Sequence, residues 1–141
     1  MSELETARRS AEVMLSSDEA SRSLGIELLD VGPGRARMRM RVTATMVNGH
    51  GIAHGGLVFA LADSAFAVAC NSHGTVTVAS GADVTFVAPG RLGDVLLADA
   101  EERTLVGRSG LTDVTVTRED DGSVIAMFRG RSRSLGRPIE P

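Results

Sequence analysis

Between Arg35 and Val42 the chain alternates without a break, with Arg at 35, 37, 39 and 41 and Ala36, Met38, Met40 and Val42 between them. A period of two puts one set on each face of a strand, which predicts a half-buried β-strand with its arginines in solvent. The cluster Gly32-Pro33-Gly34 is a turn signal and joins this strand to Ile26–Val31 as an antiparallel hairpin. Upstream, residues 1–23 carry Leu4, Val13, Met14 and Leu15 among charged and small residues, with no Gly or Pro. That pattern predicts one N-terminal surface helix, ended by Gly25.

The periodicity changes after the glycine-rich loop 48–56. The run from Leu57 to Cys70 is dominated by Ala, Leu, Val and Phe, predicts a helix over residues 55–72, and is apolar on nearly every side. Such a helix has to be covered all round. The cover comes from four strand-like segments, Thr75–Val87, Asp94–Glu102, Ser109–Thr117 and Val124–Arg133, broken by Pro89-Gly90, Gly107 and Asp120-Asp121-Gly122. There is no strand-helix alternation of the kind that builds a parallel sheet. The expected fold is α+β: one domain over residues 1–141, an antiparallel sheet curled round one long central helix.

Composition narrows the function classes. At 141 residues with 43% hydrophobic and 23% charged residues, the chain has the makings of one packed core. A net charge of −3 argues against a nucleic-acid binder, which needs a basic excess. All fifteen basic residues are Arg, a bias best read as codon usage, so no individual Arg is singled out by its type. The apolar run is shorter than the roughly 20 residues of a membrane span and holds Asp63 at its middle. Residues 1–9 lack the apolar stretch of a signal peptide, and the lone Cys70 cannot form an internal disulfide; a cytoplasmic location is expected.

Asp63 is the one ionisable group in the apolar helix. Burying an unpaired carboxylate is costly, so it is either satisfied by backbone amides or a neighbouring Ser, or kept for chemistry; on this feature alone the two readings weigh equally. At the helix start Gly55 and Gly56 leave backbone N–H groups open at the positive end of the helix dipole, a site suited to an oxyanion, although glycines also permit a sharp turn and close packing. Eight residues separate Gly55 from Asp63, roughly 12 Å along a helix. One chain therefore cannot bring both to one carbonyl. If both serve one reaction, the helices of two subunits run antiparallel and a dimer is required.

His50 and His54 have the spacing of a helical metal pair but sit among glycines with no third ligand, so no metal is expected. Asn48 and His54 are read as holding the loop against the helix start. His73 is a surface residue past the helix end, and Cys70 is a buried, inert thiol with no base assigned to it. No phosphate loop or dinucleotide fingerprint is present.

Together, Asn48-Gly49-His50, His54-Gly55-Gly56, Phe59, Leu61-Ala62-Asp63, Ala65-Phe66-Ala67, Asn71-Ser72 and Gly74 resemble the phenylacetate-degradation type of hotdog-fold acyl-CoA thioesterases. The likeness continues through Phe86, Pro89-Gly90, Gly93-Asp94 and Phe128 to Ser132. It implies dimers with a continuous sheet, usually paired into tetramers, and hydrolysis of an aryl-acetyl or related aromatic acyl-CoA with no cofactor. It further implies that the Gly55 N–H polarises the thioester carbonyl while Asp63 of the other subunit acts as general base or nucleophile. Asn48 and His54 match positions that support the loop and the carbonyl, Gly56 lies beside the substrate, and Ser80 is near a position for a water-orienting hydroxyl. Arg91, Arg129, Arg131 and Arg133 are candidates for the coenzyme A phosphates, against the plainer reading of a solvated strand face. A hydratase or dehydratase acting on acyl thioesters would use His54 instead, and a non-catalytic acyl-CoA-binding module would have no use for Asp63.

Overall fold

The structure is a computed structural model that describes residues 1–141. Its elements run α1 (Glu3–Ser16), α2 (Glu19–Ser23), β1 (Glu27–Gly32), β2 (Arg35–Arg41), α3 (Gly55–Cys70), β3 (Thr75–Phe86), β4 (Val95–Val106), β5 (Ser109–Arg118) and β6 (Val124–Pro138). The six strands form one antiparallel sheet in the order β1-β2-β4-β5-β6-β3, with α3 packed on its concave face. This is the expected hotdog arrangement.

The alternation in β2 is realised as predicted. Ala36, Met38 and Met40 are buried against α3, Arg35, Arg37 and Arg41 are exposed, and β1 pairs with β2 through the 32–34 turn. Cross-strand ion pairs line the outer face of the sheet, among them Arg37 with Asp99 at 2.6 Å and Arg131 with Asp83 at 2.6 Å. These are exposed pairs, which stabilise by at most about 1 kcal/mol each.

On the inner face, Leu61, Ala62 and Ala65 of α3 are fully buried, and Phe66 and Phe128 meet with ring centroids 5.6 Å apart. The ring of Phe66 lies so close to β6 that a Cβ on Gly130 would sit 2.5 Å from it. Glycine at 130 is therefore a packing requirement. The C-terminal end of α3 is tied down by side chains. Asn71 donates to Ala67 O and Thr77 O, both at 2.9 Å, and accepts from Thr77 N at 2.8 Å. Ser72 donates to Ala69 O and accepts from Gly34 N, both at 2.7 Å. These residues set where β3 and the β1–β2 turn meet the helix.

Three expectations need correction. The N-terminal segment is two helices, not one: α1 ends at Ser16, and Asp18 caps α2 by accepting from Ser21 N at 3.0 Å. An Asp side chain that bonds a backbone N–H three residues on competes with helix continuation and restarts the chain in a new direction. The central helix stops at Cys70, with Asn71 as its C-cap, rather than running to 72. The last strand reaches Pro138, well past Arg133, because β3 continues to pair with it. No helix is long and apolar enough to cross a membrane.

β3 is an edge strand, hydrogen-bonded only to β6. Its concave side is poorly covered by α3, and Phe86 is left 51% exposed, whereas the inward residues of the central strand β4, Leu96 and Ala98, are fully buried.

Candidate active site

The loop before α3 is built by its own backbone and one side chain. Asn48 Oδ1 accepts from His50 N at 2.9 Å and from Ile52 N at 3.2 Å, closing the glycine-rich turn on itself. A neighbouring loop clamps it: Ala53 N donates to Gly90 O at 2.8 Å and Leu92 N to Gly51 O at 3.0 Å. That second loop is anchored by Arg118, which donates to Asp94 at 2.9 Å and to Pro89 O at 3.0 Å. Nothing in the sequence around Arg118 signals this role, since the partners lie 24 and 29 residues away.

His54 N-caps α3, but its imidazole makes no hydrogen bond; the residue holds the loop through its backbone, with His54 N donating to Met46 O at 2.9 Å. Asn48 thus does the part of the work expected of both side chains. The first intrahelical donors are Leu57 N and Val58 N, both to His54 O, which leaves the N–H groups of Gly55 and Gly56 without an acceptor in the protomer. They point outward at the positive end of a 16-residue helix.

The two glycines differ in their surroundings. A Cβ on Gly55 would lie 2.8 Å from Cζ of Phe86, whereas one on Gly56 would meet nothing within 4 Å. Phe86 therefore covers the side of Gly55 where a side chain would stand. Beside it opens an apolar cavity of about 280 Å³ between Ile52, Gly55, Val58, Phe86, Pro89 and Ile125. A larger concavity, about 1040 Å³, lies on the outer sheet face among paired charged side chains and contains neither Gly55 nor Asp63.

Asp63 is half-buried on α3 and makes no hydrogen bond, neither to backbone nor to Ser64. Burial raises its pKa above the ordinary carboxylate value, and the negative charge of Asp18 raises it further. Such a carboxylate is a stronger base than one in water. Cys70 is buried, and burial first among its causes pushes its pKa up to about 12, so it is not a thiolate nucleophile at neutral pH.

Other candidates fall away from this centre. Ser80 sits at a β-bulge between Ala79 and Gly81, exposed, with its hydroxyl donating to Arg131 O at 3.2 Å. Arg129 and Arg131 occupy the outer face of β6, because Phe128, Gly130 and Ser132 take the inward positions. Arg129 is bound to Asp113 through two hydrogen bonds, at 2.6 and 3.0 Å, and Arg131 to Asp83. Arg133 reaches Ser109 at 3.4 Å. Arg91, by contrast, is exposed next to the loop, with its backbone bridged to Ile52 and no side-chain partner. His73 is exposed and pairs with Glu102 at 2.8 Å.

Comparison with known proteins places the chain in a family. Residues 50–125 match the family model described as the thioesterase superfamily. The chain is 41% identical over 133 residues to the acyl-coenzyme A thioesterase PaaI of Escherichia coli, covering 94% of each. The structure of the E. coli PaaI protein from the phenylacetic acid degradation operon superposes with a TM-score of 0.95 at 39% identity, over 99% of this chain and all of that one. A protein of Streptococcus mutans solved bound to acetyl-CoA matches with a TM-score of 0.76 at 25% identity, over 80% of this chain and 90% of that one.

Proposed function

The chain belongs to the thioesterase superfamily, and from that membership we propose that it hydrolyses acyl-CoA thioesters with Asp63 as the catalytic carboxylate, on an aryl-acetyl or related aromatic acyl group. The observation that carries the reading is a half-buried carboxylate with no hydrogen-bond partner on the same apolar helix whose start presents two unpaired N–H groups. A purely structural Asp in that position would be satisfied.

The active unit is a dimer. With about 12 Å of helix between Gly55 and Asp63, the carbonyl held at Gly55 of one protomer is served by Asp63 of the other. Antiparallel apposition of two α3 helices achieves this, and the open edge of β3 is a natural seam. Pairing of two such dimers into a tetramer follows from the family likeness alone.

In the general-base route, Asp63 takes a proton from water, the hydroxide adds to the thioester carbonyl, and the oxygen gathers negative charge against the Gly55 N–H. The C–S bond then breaks and the thiolate recovers the proton from Asp63, giving free acid and coenzyme A. In the nucleophilic route an Asp63 oxygen attacks first, expelling the thiolate, and water cleaves the mixed anhydride. The raised basicity of Asp63 serves either route, as proton acceptor or as nucleophile. The cavity beside Gly55 suits an aromatic acyl group, for an apolar void of about 150 Å³ already takes up benzene. Of the four candidate arginines, Arg91 is the one whose side chain has no partner in the protomer and is left free to meet a coenzyme A phosphate.

The test is thiol release from a panel of aryl and aliphatic acyl-CoA esters by the wild type and Asp63→Asn. Loss of on the order of a hundredfold or more in a still-oligomeric variant is expected. A wild type that binds the esters but hydrolyses none of them would move the assignment to a binding module.

A further inference from the structure

The break between α1 and α2 has a partner inside the fold. Ser21 Oγ lies 2.7 Å from Asp18 Oδ2 and 2.9 Å from Ser64 Oγ, the residue next to Asp63 on α3. Ser21 has one hydroxyl proton, and the shorter, charge-assisted bond to the carboxylate claims it. Ser64 is therefore the donor to Ser21, and the chain of bonds runs from Ser64 through Ser21 to Asp18. Ser21 is buried, and Asp18 also accepts from Ser21 N at 3.0 Å, so the carboxylate is fixed in place by two bonds. Asp18 and Ser21 precede the segment that matches the thioesterase family model, whereas Ser64 lies within it.

We infer that Asp18 is the second carboxylate of the site, held beside the Asp63 turn of α3 by the Ser21–Ser64 bridge, where its charge strengthens Asp63 as a base. The inference rests on the proposed role of Asp63. Like charges brought close disfavour ionisation of the second group, the arrangement by which paired carboxylates divide their work. The remaining charged groups do not compete. Glu19 and Arg22 of α2 are exposed and paired with each other. Glu27 and Asp30 of β1 are exposed, with Asp30 paired to Arg35, and Asp83 of β3 is exposed and paired to Arg131. On α1 the buried face is Ala7, Ser10 and Ala11, and its Glu and Arg side chains are exposed. β2 turns its arginines away from α3, and β5 and β6 face it with Val114, Val116, Ala126 and Phe128. From β4 comes Glu102, at the far end of the helix and paired with His73; on α3 itself Cys70 is a neutral thiol. Asp18 is thus a positioning residue acting through Asp63.

The experiment is the pH profile of kcat/KM for the oligomeric wild type, Asp18→Asn, and Glu119→Gln, which removes the same charge from the distant β5–β6 turn. Asn caps a helix as well as Asp does, so Asp18→Asn keeps the α2 cap while deleting the charge. The acid limb, where activity appears as Asp63 ionises, is expected at lower pH in Asp18→Asn, with a lower plateau, and unmoved in Glu119→Gln. A limb of Asp18→Asn that coincides with wild type, or moves to higher pH, overturns the inference. Should Asp18→Asn fail to fold, wild type alone decides: concentrated salt screens the two carboxylates and moves the limb to lower pH, and a limb indifferent to salt refutes the coupling. Asp63→Asn separates the two claims. If it remains active, the proposed site itself fails; if it is dead while Asp18→Asn follows the wild-type profile, only the role of Asp18 fails.

Discussion

The two ends of α3 are built on opposite principles. At the C-terminal end, Asn71 and Ser72 satisfy backbone groups of the helix, of β3 and of the β1–β2 turn. At the N-terminal end, Gly55 N–H, Gly56 N–H and the His54 imidazole have no partner, and two turns on Asp63 has none either. The same helix is therefore anchored at one end and chemically open at the other. His54 and Gly56 are exposed and Gly55 and Asp63 half-buried, so these groups lie open beside an apolar cavity, and the proposed site trades stability for a ligand chiefly through the unpaired Asp63.

That contrast is broken most severely at Gly55. Gly55→Pro deletes the N–H at the first helical position, where proline is otherwise tolerated, and His54 already has the extended backbone that precedes a proline. Gly55→Ala introduces the same contact with Phe86 but keeps the N–H. The expected loss in kcat for the proline variant is about a hundredfold to a thousandfold, the worth of one oxyanion donor, and larger than for the alanine variant. Equal losses would assign the effect to Phe86 instead. Gly56→Ala, with open space around its Cβ, is the benign control.

At the anchored end the readout is stability. Asn71→Ala removes three hydrogen bonds and leaves Thr77 N and O to find other partners, so unfolding should become easier by about 3 kcal/mol, measured by denaturant titration. The residual folded protein should retain its turnover; a fall in kcat per folded molecule would show that the anchored end also shapes the site.

The smallest effect sharpens the idea of a trade. Burial raises the Asp63 pKa in the folded protein above its unfolded value near 3.8. Its contribution to stability is then complete below that value and is lost as pH climbs through the folded pKa. Asn cannot ionise and escapes that loss. Asp63→Asn should therefore melt above wild type at neutral pH, with the difference closing as pH falls toward 3.8, in a thermal-melt series. A variant that melts below wild type at pH 7 would mean Asp63 is paired in the assembled oligomer.

Much of this was legible in the residues. The Arg/Met alternation of β2, the apolar run of α3 and the Gly-Pro turns carry the fold, because each is a local pattern with one compatible environment. Asp63 stands out by its apolar neighbours. What escaped notice depends on contacts distant in sequence or on single-residue register. Ser80 shows the second: a bulge at 79–81 decides which way its hydroxyl turns, and no local signal announces it. Arg129 and Arg131 obey the alternation of β6, but only the register with β5 and β3 reveals that Asp113 and Asp83 face them. The Ser21–Ser64 contact spans 43 residues and joins a helix break to a core helix, and the Phe86 ring over Gly55 likewise appears only once the sheet is curled. The cap at Asp18 was readable, an Asp three residues before a Ser, yet the absence of Gly and Pro masked it.

The placement of β3 also governs the order in which the molecule can be made. Its backbone partner is β6, and residues 87–123 separate them along the chain. During synthesis α3 and β3 emerge well before β6, and β3 gains its partner only after β6 has left the ribosome. Until then the nascent chain displays an apolar helix and a twelve-residue strand with both edges free, the kind of surface that associates with whatever strand is nearest. Two such chains growing on one message would hold out to each other, before either is finished, the β3 edge that β6 never covers.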